Sequence, residues 1–240
     1  MLEKVFGRHA VYHLIKANRR HALQLFIQEG SEAAESSLVS LARAKKIPVE
    51  IKPRVYFDRI ESGSHQGVLA HAEAYPWVEL QSLTSSESLL LCDGIQDPQN
   101  LGALCRTAYL LGVGGVVITE NRAVSISAGV CKAAAGAVEY LKIAQVSSLA
   151  SAINLLKENS FWVYGADQEG DKDLYEEQFT AKAAIVIGGE GKGLGRLVRE
   201  RCDIRIKIPM LGQEIGSFNA ATAAALLLGE LARQRRKKTG

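Results

Sequence analysis

Beyond residue 88 the chain alternates short apolar runs with longer segments of helical spacing. The runs 89–92, 116–119, 141–146, 162–166, 184–187 and 204–208 are apolar without strict alternation, which predicts strands covered on both faces. Segments 101–111, 127–138, 149–158, 194–201 and 217–235 fill the gaps and predict helices. On the first of these, Leu101, Leu104, Ala108 and Leu111 form one apolar stripe. Strands separated by helices predict an α/β fold with a mostly parallel sheet. Ligands of such sheets bind beyond the carboxyl ends of the strands, so the residues after each strand carry the interest.

The first part of the chain is patterned differently. A helix is predicted over 8–17, a strand over 23–27, a helix over 31–46 with Leu38 and Leu41 on one face, and strands over 49–51 and 67–72. Tyr75-Pro76-Trp77 and the run 82–88 then interrupt the periodicity. The organisation expected is a small α/β domain over 1–74, a linker over 75–87 and a larger domain over 88–240.

Composition narrows the class. No stretch reaches the roughly 20 apolar residues of a membrane span. The start mixes Glu3, Lys4, Arg8 and His9 among its apolar residues, unlike the apolar block of a secretory signal. Cys92, Cys105, Cys131 and Cys202 form no C-x-x-C pair and lie in apolar surroundings, which fits free thiols in a reducing cytoplasm better than disulfides or zinc. The five histidines form no ligand cluster, so no metal is expected. The net charge of +3 is uneven: residues 1–75 hold 11 Lys/Arg against 8 Asp/Glu, while residues 76–240 hold 18 of each. Five of those later cations crowd the C-terminus as Arg233, Arg235, Arg236, Lys237 and Lys238. A polyanion would be drawn to the first region and the tail, although solvation of a helix end explains the tail equally well.

Three strand-end segments carry candidate chemistry. The first runs from Asp93 to Arg106, with Pro98 suited to a helix start and Asn100 to its cap. Arg106 lies about 200° from Leu104 around that helix, off the apolar stripe. Gly102, four residues before it, is expected to leave open space above its side chain, so its guanidinium suits a phosphate or ribose partner, or a solvated helix face. The second segment, Val186 to Leu194, places four glycines around Glu190. It lacks the Ser or Thr after Lys192 of a Walker loop, and its carboxylate would repel a pyrophosphate. The third runs from Ile208 through Ser217 and Asn219, either of which can cap the alanine-rich helix that follows. Small residues on that helix admit another backbone closely.

Together these segments resemble the three motifs of the SpoU/TrmH family of RNA ribose methyltransferases. Asn100-x-Gly102-x-x-x-Arg106 is similar to the first, Gly188-Gly-Glu190-Gly-x-Gly193 to the second, and Ile208-Pro-Met through Ser217-x-Asn219 to the third. The likeness spans about residues 89–235. His65-Gln-Gly67 and the small preceding domain look most like the bacterial 23S rRNA guanosine 2′-O-methyltransferases. The resemblance implies a C-terminal trefoil knot, an L30e-like N-terminal domain that grips RNA, and a homodimer whose active site uses both chains. It implies S-adenosylmethionine as cofactor, with Gly188, Ile208, Met210, Gly212 and Phe218 on cofactor-binding positions. Asn100, Arg106, Glu190, Ser217 and Asn219 fall on catalytic positions.

Two departures stand out. The segment 208–219 is one residue longer than the family spacing, through Gln213-Glu-Ile-Gly216, and Ala221 stands where many relatives carry Ser. The reaction expected is methylation of a guanosine 2′-hydroxyl in 23S rRNA. The alternatives are a tRNA substrate, or an RNA-binding assembly factor that has kept the fold without catalysis. The family proposal makes Arg106 a general base. A guanidinium is effectively always protonated, so anchoring a phosphate and stabilising the developing alkoxide is the competing role.

Overall fold

The computed structural model describes residues 2–31, 37–61, 65–121, 123–212 and 216–238. The chain divides into two compact units, Met1–Pro76 with Ile126–Tyr140, and Trp77–Ser125 with Leu141–Gly240.

The first unit holds four strands, β1 (Glu3–Phe6), β2 (Ala22–Gln28), β3 (Val49–Lys52) and β4 (Val68–Ala72), in the order β1-β4-β2-β3. β4 runs antiparallel to β1 and β2, and β3 runs parallel to β2. Helices α1 (Arg8–Ala17), α2 (Ser37–Ala44) and α3 (Arg54–Ile60) accompany the sheet, and Phe6, Phe26, Phe57 and Leu69 form a core cluster. β1 and α3 do not stand out in the sequence pattern. β1 is four residues long and opens on Glu3 and Lys4, while α3 buries only Phe57 and exposes Arg54, Asp58 and Arg59.

The stretch 126–140, placed by its sequence pattern in the larger domain, packs in this first unit. The single helix predicted there is broken into α5 (Ala128–Ala133) and a 3-10 turn at Ala137–Glu139. Ala135 and Gly136 both take positive φ, 48° and 83°. A Cβ on Gly136 would stand 2.5 Å from His13 Cβ, so glycine is what lets the chain turn against α1. Beyond the turn, the guanidinium of Arg20 donates from Nε and Nη2 to the two carboxylate oxygens of Glu139, at 3.1 and 2.8 Å. Burial of both side chains makes this a dry ion pair, and Arg20 also bonds Glu3 and the Glu73 carbonyl.

The second unit is a seven-stranded sheet in the order β7-β6-β5-β10-β8-β11-β9. Its strands are β5 (Ser88–Asp93), β6 (Gly115–Thr119), β7 (Ile143–Val146), β8 (Trp162–Ala166), β9 (Lys172–Asp173), β10 (Ala183–Gly188) and β11 (Ile204–Lys207), and every pairing is parallel. The six long ones are those predicted; two-residue β9 has no periodicity to read. Leu89, Leu91, Ala184 and Val186 from the central strands pack with Leu149, Ile153 and Leu156 of α6 (Leu149–Glu158). α4 (Pro98–Leu110) and α8 (Ala220–Lys238) pack on each other, and α7 (Arg196–Arg201) packs on α6.

Helix starts differ from expectation in a way that matters for the site. α4 begins at Pro98 and its cap is Asp97, whose side chain accepts from Gln99 N at 3.0 Å. Proline at the first helical position loses no hydrogen bond, so Asp97-Pro98 outcompetes Asn100 as the start. Asn100 is thereby left with its amide available for other partners. α8 begins at Ala220, capped by Asn219, which accepts from Ala221 N at 2.9 Å and Thr222 N at 3.4 Å. Gly102 is buried in α4, so it does not clear space over Arg106, which is exposed.

Candidate active site

The carboxyl ends of β5 and β10 lie side by side, with Asp93 opposite Gly188. From these ends the chain makes the loop to α4 and the glycine loop 189–195. A third approach, 216–219, precedes α8. Three polar side chains meet where these converge. Asn100 donates from Nδ2 to Glu190 Oε1. Asn219 donates from Nδ2 to Asn100 Oδ1 at 2.9 Å and lies 3.4 Å from Glu190 Oε1. Asn100 is buried, while Glu190 and Asn219 open to solvent. Two amides therefore fix one carboxylate at a surface.

Beside this triangle lies a cavity of about 530 Å³, inside the range of pockets for small molecules and cofactors. Ile187, Ile206, Ile208, Met210 and Phe218 give it apolar wall, and Asp167, Glu169 and Glu190 give it negative charge. Gly188, Ser217 and Asn219 also line it. At Gly188 the close approach is required: a Cβ there would stand 2.2 Å from the Gly193 carbonyl carbon. Arg199 reaches the wall but is engaged, with Nε 2.6 Å from Asp167 and Nη2 bonded to Glu169 at 2.9 Å. That hydrogen bond holds the Glu169 carboxyl below its ordinary range. Lys192 is the remaining cation of the wall.

Of the ten residues singled out from sequence, Gly188, Glu190, Ile208, Met210, Ser217, Phe218 and Asn219 line this cavity, and Asn100 is bonded to two of them. Two stand apart. Gly212 is exposed and outside the wall, and a Cβ on it would meet nothing within 4 Å. Arg106 is exposed on α4, outside the wall, with no hydrogen bond or ion pair among the described residues. Residues 213–215 of the lengthened third motif lie outside the described residues. Asp167, Glu169 and Arg199 were not anticipated. The first two follow β8, so the strand-end rule that found the other segments would have found them.

His65-Gln-Gly67 has a structural task in the first unit. His65 Nδ1 accepts from Gly67 N at 2.9 Å, and Gln66 Oε1 accepts from Arg8 N at 3.0 Å, capping α1 where Gly7 offers no side chain.

Comparison with known proteins decides the family. Residues 87–229 match the SpoU rRNA Methylase family, and residues 4–78 match a domain described as RNA 2′-O ribose methyltransferase substrate binding. The chain belongs to the SpoU/TrmH family of RNA methyltransferases. A Bacillus subtilis (strain 168) protein, YacO, named for the TrmH family of tRNA/rRNA methyltransferases, is 37% identical over 239 residues, covering 96% of this chain and 95% of that one. A Staphylococcus saprophyticus protein of the same family name is 35% identical over 240 residues, covering 96% and 95%. Among solved structures, the SpoU methyltransferase AviRb from Streptomyces viridochromogenes, in complex with AdoMet, shares the fold with TM-score 0.82 at 23% identity, over 98% of this chain and 91% of that chain. A TrmH-family RNA methyltransferase structure from Porphyromonas gingivalis aligns with TM-score 0.75 at 26% identity, over 98% and 90%. No helix among the described residues is long and apolar enough to cross a membrane, and no cluster of metal-ligating side chains occurs among them.

Proposed function

We propose that this SpoU/TrmH methyltransferase uses S-adenosylmethionine to methylate a ribose 2′-hydroxyl of RNA, its target a guanosine of 23S rRNA. The observation that carries the reading is the convergence of Asn100, Glu190 and Asn219 at the rim of the cavity. The cavity fits the cofactor. Its volume suits a nucleoside with a short chain, its apolar residues suit an adenine face, and its carboxylates suit a sulfonium and an ammonium. Gly188, Ile208, Met210 and Phe218 would hold it. When bound, S-adenosylmethionine supplies a methyl group on sulfonium, which passes to the attacking oxygen as the thioether leaves.

The protein's part is alignment and charge. Asn100 and Asn219 hold Glu190, and the three together present hydrogen-bonding groups to an incoming ribose. Ser217 stands in the same wall. Arg106 anchors the phosphate beside the target ribose and stabilises the oxyanion as the hydroxyl proton passes to phosphate or water. Its exposure outside the cavity wall supports a homodimer in which Arg106 serves the site of the other copy; Tyr109 and Leu110, 42% and 69% exposed on the same helix, suit a covered face. A trefoil knot in the C-terminal part belongs to this reading, as do residues 1–74 as an L30e-like RNA-binding domain and 88–240, apart from the stretch 126–140 that packs in the first unit, as the catalytic domain. The excess of cations in residues 1–75 supports the RNA-binding role. The reaction belongs in the cytoplasm, with its RNA.

The relatives' names include tRNA as well as rRNA, which keeps a tRNA substrate as the second reading. Methyl transfer from labelled S-adenosylmethionine to rRNA and tRNA from a strain lacking this gene, with nuclease mapping, tests both. Label in a 2′-O-methylguanosine of 23S rRNA is expected. Label confined to tRNA overturns the substrate. No transfer, with no S-adenosylmethionine binding, replaces the enzyme by an RNA-binding assembly factor.

A further inference from the structure

We propose that Asp93 is a positioning residue that sets the place of Glu190 by gripping both ends of the glycine loop; the kinetic part of this rests on the functional reading above. The loop 189–195 runs Gly189, Glu190, Gly191, Lys192, Gly193, Leu194 and Gly195. Leu194 is its single apolar side chain and lies near its far end. Gly191 and Gly193 take φ of 72° and 60°, and a Cβ on either would meet nothing within 4 Å. No side chain at 191 or 193 packs the middle of the loop, so the place of Glu190 depends on its bonds to Asn100 and Asn219 and on how the ends of the loop are held.

The ends are held by one residue from a neighbouring strand. Asp93 closes β5 and stands in register with Gly188, the last residue of β10. Its backbone oxygen accepts from Gly189 N at 2.8 Å, and its carboxylate Oδ2 accepts from Gly195 N at 2.7 Å. Gly195 is the residue just before α7, and its N–H, which lies outside the hydrogen bonds of that helix, finds a charged acceptor in Asp93 at the end of the neighbouring strand. Between the two grips the loop closes on itself through Gly193 N and Gly189 O at 3.0 Å. The fit is tight at both grips: a Cβ on Gly189 would stand 2.5 Å from Gly94 O, and one on Gly195 would stand 3.2 Å from Asp93 Oδ2. Residue 93 thus fixes the entry of the loop through its backbone oxygen and the exit through its carboxylate, and the loop carries the carboxylate of the site.

Two measurements on the full chain test this. The first is amide hydrogen exchange of peptides covering 189–195 in the parent, Asp93→Ala and Asp93→Asn, which needs no activity. Faster exchange of the loop in Asp93→Ala, with α4 and the first unit unchanged, and recovery in Asp93→Asn, whose amide oxygen still accepts from Gly195 N, are expected. Unchanged loop exchange in Asp93→Ala overturns the proposal, and so does faster exchange throughout the second unit in both variants, which marks a general packing role. The second is a kinetic cycle with Glu190→Ala. Asp93→Ala is expected to lower turnover on the order of 100-fold in the parent and to add little in the Glu190→Ala background, because the two act on one element. Additive losses overturn the coupling to Glu190. A parent without methyl transfer overturns the functional reading, and the exchange result still decides the grip.

Discussion

Asn219 donates from Nδ2 to Asn100 Oδ1 at 2.9 Å across 119 residues of sequence, while its own Oδ1 accepts from Ala221 N at 2.9 Å. One side chain therefore starts α8 and ties the third strand-end segment to the first. The two tasks use different atoms and separate by substitution. Asn219→Asp keeps an acceptor for the helix start but loses the donor and sets a second carboxylate beside Glu190. Its melting temperature is expected to stay near that of the parent, while methyl transfer falls on the order of 100-fold. Asn219→Ala is expected to lose activity and also about 1 kcal/mol of stability with the cap. Equal activity in Asn219→Asp and the parent would remove the amide from the mechanism.

Arg106 separates chemistry from cofactor binding. It is exposed and outside the cavity wall, so Arg106→Ala is expected to melt with the parent and to bind S-adenosylmethionine with similar affinity. Turnover is expected to fall severely, on the order of 100-fold or more. Arg106→Lys is expected to recover little, because an ammonium cannot present a planar fork to a phosphate or ribose. Calorimetry for the cofactor and labelled methyl transfer for turnover check both halves. Weakened cofactor binding in Arg106→Ala would place the guanidinium in the cofactor site.

The two glycines assigned to the cofactor from sequence are expected to behave oppositely. A methyl group at 188 would overlap the Gly193 carbonyl carbon at 2.2 Å, and backbone cannot swing aside as a flexible side chain does. Gly188→Ala is expected to displace the glycine loop and weaken S-adenosylmethionine binding by on the order of tenfold or more. Gly212→Ala meets open space, at a position off the cavity wall, and is expected to bind within about twofold of the parent. Titration of the cofactor into both variants is the check, and a large loss in Gly212→Ala would show that this loop closes over the ligand.

Much of this arrangement is legible in the amino-acid sequence, for a physical reason. Buried parallel strands are nearly continuous apolar runs, and polar or glycine-rich residues directly after them have few structural reasons to be there. Gly188, Glu190 and Asn219 are found that way. What is illegible depends on competition or on distance. Asn100 and Asp97 both suit a helix start, and only the proline between them decides which is spent on the cap. The return of 126–140 to the first unit is invisible to periodicity, because its determinants are Gly136 against His13 and Arg20 against Glu139, residues far apart in the chain. Arg106 looks like a surface residue in sequence and remains one in the single chain; its assignment rests on the motif.

The Arg20–Glu139 pair is the test of that return. Both side chains are 1% exposed, so removing one leaves the other charged and dry. Arg20→Ala is expected to cost about 3–5 kcal/mol in the first unit. Replacing both, as Arg20→Met with Glu139→Leu, is expected to cost much less than Arg20→Ala alone, since the stranded charge disappears with its partner. Denaturant unfolding followed by hydrogen exchange of peptides from 126–140 separates the first unit from the second. A double variant as unstable as the single one would assign the loss to packing instead of charge.

Acid is expected to act on the same unit through His13. Its Nδ1 lies 2.9 Å from the Tyr140 hydroxyl, and burial, helped by Lys16 and His9, lowers its pKa from the ordinary 6.5. The folded chain thus prefers the neutral ring, which accepts from Tyr140, while the unfolded chain protonates first as pH falls. Stability from this group is complete above 6.5, is lost as pH falls through 6.5 toward the lower folded value, and changes no further below it. His71, lowered by burial and then by Lys4, acts with the same sign. His13→Gln keeps a hydrogen-bonding side chain without a titration, so its urea midpoint is expected to drop less than the parent's between about pH 8 and about pH 5, where an ordinary histidine changes charge. Carboxylates titrate equally in both proteins, so the difference between the two curves isolates His13. Parallel curves would mean that the ring protonates as readily in the folded chain as in the unfolded one, with Tyr140 serving the protonated ring equally by turning its oxygen to accept.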